Sequence, residues 1–596
     1  MKWRKTILSA SLTVILASVL ALPVAAQRYE KLAPYPAIRW EEGDRPHVQI
    51  QERWYGLLAV NGITLEDMVA FSKKTYADRW KKRINEDLVQ VMSEMGHPPS
   101  DAVALSLQDL SSGAHLVKQE VSMTRENRQA IWEVHTLPTL QEPPPLPVSR
   151  RLSAREVHED LDAFQAALEA RFAYLKATPV DYRAALEAIR RRVVDSLSVD
   201  ELGVQLDKII ALFIDGHAGV SGYERPEGYL PFLVEPSGDR FVAFTPDRSG
   251  FLDDAYPYVT RIDDLDLAQW LEVAAHFRPK GSPQYVRRQA LRILRSVQFL
   301  RAEMGRDPGE TVSVELAATD PRRTTTLTLA VTEQVPTYGL WPRSTDSKIL
   351  DGNIGYLRLA AMNDEAVHAV RTWMLAFRDT DGLIVDVRGN GGGSRAALLE
   401  LFPYFMRPDD PPHIANVAAY RFYEGFGRDH LGARYMAREE AERWSEAERA
   451  AIRRFKQEFR PEWLLPAGQF SAWHYLILSK TADDPRFYYD KPVVMLQDAK
   501  CFSATDIFLG AFKGWRNVTL LGQPSSGGSA RSQTSPLPHS RLRVRLASMA
   551  SFQPSGLLYD THGVVPDVYV DPDPTYFLHG QEDPILQHAL GYLRTR

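Results

Sequence analysis

Two stretches decide the architecture: "GLIVDVRGNGGGSRAALLELF" (Gly382–Phe402) and "KPVVMLQDAKCFSATDIFLGAF" (Lys491–Phe512). Each begins with a short, almost uninterrupted apolar run, the pattern of a strand buried on both faces. Each then turns through small residues and enters a segment with apolar residues at helical spacing. Around them, "GNIGYLRL" (Gly352–Leu359) reads as a strand and "NDEAVHAVRTWMLAF" (Asn363–Phe377) as a helix capped by Asn363. "VTLLG" (Val518–Gly522) is one more buried strand. Strands alternating with helices predict an α/β core.

Upstream, "LLAVNGITLEDMVAF" (Leu57–Phe71) is echoed by "YVTRIDDLDLAQWLE" (Tyr258–Glu272). "EMGHPPSDAVALSL" (Glu94–Leu107) matches "EMGRDPGETVSVEL" (Glu303–Leu316) without a gap. One strand–helix–strand module is thus predicted twice, over 27–140 and 228–335. The Pro-rich stretch "QEPPPLPVSRRLS" sets a linker at 141–152. An amphipathic helical segment over 153–227 ends in the Gly-rich turn "IDGHAGVSGY" (Ile214–Tyr223). The remaining 336–596 is the core, interrupted by an insertion at about 410–490 that carries a charged helix with an apolar stripe.

The chain has 596 residues, 44% apolar and 25% charged, with a formal net charge of −5. That is globular and too long for one hydrophobic core. Nothing in it points to a nucleic-acid partner. The first residues run Lys2, Arg4, Lys5, then an apolar run of roughly 15 residues, then Val24-Ala25-Ala26, the order of a secretory signal cleaved after Ala26. No later segment is apolar enough to span a bilayer. The one cysteine, Cys501, permits no internal disulfide, and none lies near the cleavage site for lipid attachment. The expected protein is secreted or periplasmic, without a membrane anchor.

The glycine loop lacks the Lys-Ser or Lys-Thr pair of a phosphate loop, and no strand-ending acid follows at dinucleotide-site spacing. Amides at such a turn stabilise negative charge, a transient oxyanion included. Ser503 stands where a nucleophile gains exposure and a helix dipole; it also has the position of an N-cap, with Asp506 completing an approximate capping box. A serine nucleophile needs a base, and His217 in "DGHAG" and His562 in "YDTHGVVPDV" both sit in turns. Asp560 and Asp215 are the candidate carboxylates to fix the base's tautomer. Scattered histidines and a lone cysteine give no metal-ligand spacing, so neither metal nor other cofactor is expected.

"IGYLRL", "LIVDVRGNGGG", "PVVMLQDAKCFSATDIFLGAF", "LLGQPSSGG" and "GVVPDV" resemble, in order and spacing, the tail-specific or C-terminal processing serine peptidases, which include the core of the tricorn protease. The resemblance covers about 350–572. It implies a crotonase-like core of strand–strand–helix units, PDZ-like modules, and hydrolysis of a polypeptide substrate. It puts Ser503 at the nucleophile, with the amides of Ala504 and of Gly391 or Gly392 as the oxyanion hole. Tail-specific members pair the serine with a lysine, but Gly528 stands at that lysine's place in "SSGGSA". The tricorn branch uses an upstream histidine and a downstream acid instead. His217 and Asp560 match those, with His562 as the rival base. In that branch an acid after the nucleophile selects basic substrates; Ala504 stands there. The module loop "GYLPF" (Gly228–Phe232) falls where a C-terminal carboxylate would be captured, which makes Tyr229, Leu230 and Phe232 candidate substrate contacts, although Pro231 replaces a customary glycine. Two other functions fit the same residues: a catalytically silent peptide-binding protein, and a hydrolase of small esters or amides. The residues do not specify an oligomeric state.

Overall fold

A computed structural model describes residues 29–595 except 42–43, 51–52, 77–78, 111, 137–149, 339–345 and 424–428. The expected signal segment and most of the Pro-rich linker lie outside the described residues. The chain divides into two compact units, 1–140 and 141–596. Among the described residues no helix is long and apolar enough to cross a membrane.

The centre of the larger unit is a six-stranded sheet, in the order Lys348–Leu350, Ile354–Arg358, Gly382–Asp386, Val493–Gln497, Val518–Gly522, Val568–Tyr569. The first pair is antiparallel and all later pairs are parallel. Three of the central strands are buried at every residue, which is why their sequences read as unbroken apolar runs. Alternate residues supply two cores. Leu357, Val385, Met495 and Leu520 face the helices Asp364–Ala376 and Ala504–Phe512. Tyr356, Ile384, Val494 and Leu521 face the C-terminal helix Pro584–Arg594 and the strand residues Leu233, Val242 and Phe244. The helix after Ser503 is buried at all nine of its positions, so its apolar character runs all the way round.

Two of the smaller sheets in this unit bear on the core. The insertion is built into one of them: Ala437–Arg438, His474–Leu478 and His413–Tyr420 pair in that order, and the last pairs with Met549–Phe552. Its helix Glu446–Glu458 starts with a full Ser445/Glu448 capping box and seats Ile452 on Val417, Tyr475 and Ile477. The other sheet joins Gly219–Ser221 to Arg543–Ala547 and Ser532–Pro536. That pairing carries the turn after the capped helices Ala154–Arg171, Tyr182–Arg192 and Val199–Ile210 onto the C-terminal half of the chain.

The repeated sequence has a repeated topology. Residues 37–122 form a sheet in the order Ala37–Glu41, Arg45–Ile50, Arg53–Val60, Ala102–Asp109, His115–Ser122, with Ile63–Thr64 paired to the third strand. Residues 233–330 give the same order, with Leu265–Asp266 as the side strand. Both side strands leave through two positive-φ residues, Asn61 (49°) and Gly62 (81°) in one copy, Asp263 (46°) and Asp264 (63°) in the other. A two-residue hairpin turn needs that conformation, and Asn, Asp and Gly tolerate it best.

Candidate active site

Ser503 precedes the helix Ala504–Phe512 with φ 63° and ψ −116°. A non-glycine residue in that region is strained, the condition of a nucleophile held on a sharp strand-to-helix turn. The capping alternative fails: the Ser503 hydroxyl makes no cap hydrogen bond. Asp506, read as the far half of a capping box, instead accepts from Ser525 Oγ (2.5 Å) and Gly527 N–H (3.0 Å). It ties the 525–528 turn to the helix start.

The glycine loop lies directly against the Ser503 turn. A Cβ on Gly392 would fall 2.6 Å from Phe502 O and 2.7 Å from Ser503 Cβ, so only glycine fits at this φ of 102°. Asn390 fastens the two turns. Its Nδ2 donates to Leu359 O (2.9 Å), its Oδ1 accepts from Gly392 N–H (2.9 Å) and Thr505 Oγ1 (2.8 Å), and its carbonyl accepts from Phe502 N–H (3.1 Å). Of the two glycine amides considered for an oxyanion, that of Gly392 is therefore occupied. The exposed Gly391 has open space around it.

His217 Nε2 stands 3.1 Å from Ser503 Oγ although 286 positions separate them. The ring stacks on Phe502 with centroids 4.6 Å apart, and Phe502 stacks in turn on Tyr285 at 5.9 Å. Asp215 holds the turn: its Oδ1 accepts from His217 N–H and its Oδ2 from Ala547 N–H, both at 2.8 Å. Burial, helped by the guanidiniums of Arg545 and Arg434, pulls the imidazole pKa down to about 3, so the ring is a neutral base at neutral pH.

Asp560 is 1% exposed. Its carboxylate accepts from Tyr174 Oη (2.9 Å), Ser529 N–H (3.2 Å) and Gly216 N–H (3.3 Å). One carboxylate oxygen each from Asp215 and Asp560 and a ring nitrogen of His217 lie within 4.8 Å of one another. His217 Nδ1 is shut off from solvent and has no hydrogen-bond partner. Burial raises both carboxyls, and the neighbouring Asp560 charge helps push Asp215 up to about 7. The pair therefore resists double ionisation.

The remaining candidates lie elsewhere. His562 Nε2 pairs with Glu462 Oε2 at 2.8 Å, and Glu462 also accepts from Leu558 N–H and Thr561 Oγ1. His562 thus serves a clamp between the insertion and the loop holding Asp560, not Ser503. The "GYLPF" reading needs correction as well. Leu230 and Phe232 are fully buried in the module's own core, and the Tyr229 and Leu230 amides donate to Thr332 O and Arg295 O, both at 2.8 Å. Those two amides and the Leu230 and Phe232 side chains are therefore not free for a substrate carboxylate, while Tyr229 is half-buried. At Gly528, an added Cβ would fall 2.3 Å from Phe502 Cε2; the space a lysine needs is filled by the ring that stacks on His217. Asn390, Tyr174 and Phe502 were not singled out from sequence. Only Asn390, a lone amide inside a glycine run, offered a local signal.

The model of Peptidase family S41 matches residues 353–570, from the second core strand past Asp560. The fold is similar to that of mature CPAF, with TM-score 0.55 and 16% identity over 74% of this chain and 98% of that one. It is also similar to mature CPAF complexed with lactacystin, with TM-score 0.52 and 16% identity over 74% and 99%. The photosystem II D1 C-terminal processing protease aligns with TM-score 0.38 and 15% identity over 72% and 98%. The matched segment holds the glycine loop and the strained serine turn, and this part of the chain is similar to the serine-type peptidases of family S41.

Proposed function

We propose that this chain is a secreted endopeptidase that opens peptide bonds through a Ser503–His217–Asp560 triad and an acyl-enzyme. The observation that supports this most is the 3.1 Å approach of His217 Nε2 to Ser503 Oγ. As the hydroxyl attacks the scissile carbonyl carbon, its proton passes to Nε2. The imidazolium then carries its second N–H on Nδ1, which has no other partner. Asp560 Oδ1 accepts a long 3.3 Å bond from Gly216, and a carboxylate oxygen has a further lone pair for that proton. The hydrogen bond closes when substrate fills the site, since catalytic contacts are often looser without ligand. The amides of Ala504 and Gly391 receive the tetrahedral oxyanion, and the Nε2 proton goes to the leaving amine. Water, deprotonated by the same nitrogen, releases the acyl group.

The substrate is a polypeptide. The parallel sheet with its flanking helices is read as a crotonase-like core, and the two sheets of identical strand order as PDZ-like modules, the second of which packs against the core or presents substrate. The basic, apolar and small-residue order of positions 1–26 supports export with cleavage after Ala26. A fluorophosphonate probe tests the reading. It should label the full-length protein on the peptide containing Ser503, and Ser503→Ala should abolish both labelling and peptide turnover. Labelling of folded protein at another residue, or none, defeats it. N-terminal sequencing of exported protein should begin at Gln27; retention of residues 1–26 defeats the export part alone.

A further inference from the structure

Among the described residues, four arginines gather near the Ser503–His217 pair with no carboxylate on any of them. Arg395 is 3% exposed at the start of the helix Ala396–Leu401. Its Nη1 donates to Arg434 O (3.2 Å) and its Nη2 to Ser529 Oγ (3.4 Å), while its buried Nε donates to nothing. Arg434 Nη2 donates to Ala530 O at 3.1 Å, and Arg531 Nη1 to His430 O at 2.9 Å. Arg545 is exposed on its strand, and it and Arg434 both bear on the His217 imidazole. Burial and the Arg434 charge pull Arg395 down to about 9; burial and the Arg531 charge pull Arg434 down to about 10.

Elsewhere two enclosed guanidiniums have counter-ions, while the buried Arg421 donates to the carbonyls of Ala170 and Glu169. Arg388 lies between Asp386 (2.6 Å) and Asp583 (2.8 Å), and Arg301 pairs with Asp263 (2.6 Å). Acids are not scarce either, with 76 Asp and Glu against 71 Lys and Arg. Enclosed cations that repel one another destabilise a fold unless something else compensates them. Clusters of this kind concentrate at functional sites. The group that would compensate these is an anion, and it would arrive with the substrate. The charge of Arg545 bears on Asp215, but neither Asp215 nor Asp560 forms an ion pair with the cluster; both accept instead from amides of the His217 turn, and Asp560 also from Tyr174. Ala504, after the serine, adds no charge.

We infer that Arg434, Arg531 and Arg545, with Arg395 beneath them, form a subsite that takes a carboxylate of the polypeptide beside the scissile bond. This rests on Ser503 being the nucleophile. The enzyme then favours acidic substrates, either through an Asp or Glu side chain or through a free C-terminus near the cut. Guanidinium and carboxylate meet in a charge-assisted, two-pronged contact that a neutral amide cannot reproduce.

The test uses the full-length chain and quenched fluorescent peptides carrying Glu or Gln at each position around the cut, each with a free or amidated C-terminus. At one position the Glu peptide should exceed its Gln twin about 30-fold in kcat/KM, or the free form should exceed the amide similarly, which names the terminal carboxylate instead. That ratio should fall below about 5 in Arg434→Gln and in the surface variant Arg545→Gln, and it should shrink with added salt. Equal turnover of all twins overturns the proposal. So does an Arg434→Gln protein in which both twins slow alike with the ratio intact, because the cluster would then act on the oxyanion. Binding to Ser503→Ala, followed by fluorescence anisotropy, separates this from the catalytic reading. Preference for the carboxylate twin there supports the subsite even if hydrolysis is never seen, and its absence overturns the subsite even in an active peptidase.

Discussion

Gly528 is the residue whose replacement tests the mechanism most sharply, because it stands where a Ser-Lys peptidase would carry its base. Its φ is 153°, and a Cβ there would lie 2.3 Å from Phe502 Cε2 and 2.7 Å from Cζ. Ordinary carbon contacts begin near 3.4 Å, so the ring must move by about 1 Å. Overpacking of this kind costs about 1–3 kcal/mol, and a side chain forced into a glycine-only conformation about 1–3 kcal/mol more. Gly528→Ala should therefore lose about 2–6 kcal/mol of stability, read as a fall of several degrees in the melting temperature. Phe502 is the ring on which His217 stacks at 4.6 Å, so a shift of that size also displaces the base, and kcat/KM for a fluorogenic peptide should drop about 100-fold. Gly528→Lys adds a cation beside Arg395 and Arg434 and should be no better. In the Gly528→Lys, His217→Ala double variant, turnover should stay at the His217→Ala level. A Gly528→Lys protein with wild-type melting temperature and undiminished turnover, or one that rescues His217→Ala, would refute the reasoning and restore a lysine mechanism.

Three further outcomes follow from the same geometry. Asn390→Ala removes the buried clamp between the glycine loop and the serine turn; kcat should fall about 100-fold with little change in KM, whereas a change confined to KM would contradict the clamp. Tyr174→Phe takes one hydrogen bond from Asp560 and raises that carboxyl further; stability should drop by about 1–2 kcal/mol and kcat about tenfold, and unchanged kinetics would leave Asp560 without an orienting role. The base must be unprotonated, so kcat/KM falls as pH drops through the His217 pKa. That value is drawn down to about 3 by burial and by Arg545 and Arg434, with Asp215 and Asp560 beside the ring, so the acid limb should lie far below the ordinary histidine range and Arg545→Gln should move it upward. A wild-type limb at about 6.5 would contradict the enclosure of the ring.

Much of the core was readable because its strands are buried on both faces. "GLIVD" and "VVMLQ" are short apolar runs bounded by turn residues, the pattern of interior strands, and the small residues after them mark the turns. The repeat was readable because two copies preserve the same two-residue turns. Other features were hidden for physical reasons. Ser503 and Asp506 have the spacing of a capping box, and only the backbone angle of Ser503 shows that its hydroxyl points elsewhere. "GYLPF" is apolar whether it lines a groove or fills a core, and local pattern does not distinguish the two. The approach of His217 to Ser503 depends on a three-residue strand, Gly219–Ser221, pairing with Arg543–Ala547, too short to leave a periodic signal. Family resemblance, not spacing, singled out that histidine. The arginine cluster was likewise invisible, since its members come from four segments and nothing in the sequence says which cations lack partners.

The account turns on one proton transfer, from Ser503 to His217. The most direct measurement is the second-order rate of fluorophosphonate modification of Ser503 in otherwise intact protein carrying His217→Ala or His562→Ala. The His217 variant should react about 1,000-fold or more slowly than wild type, and the His562 variant within about threefold of it. The opposite ranking, or two variants that both react at the wild-type rate, would contradict the account.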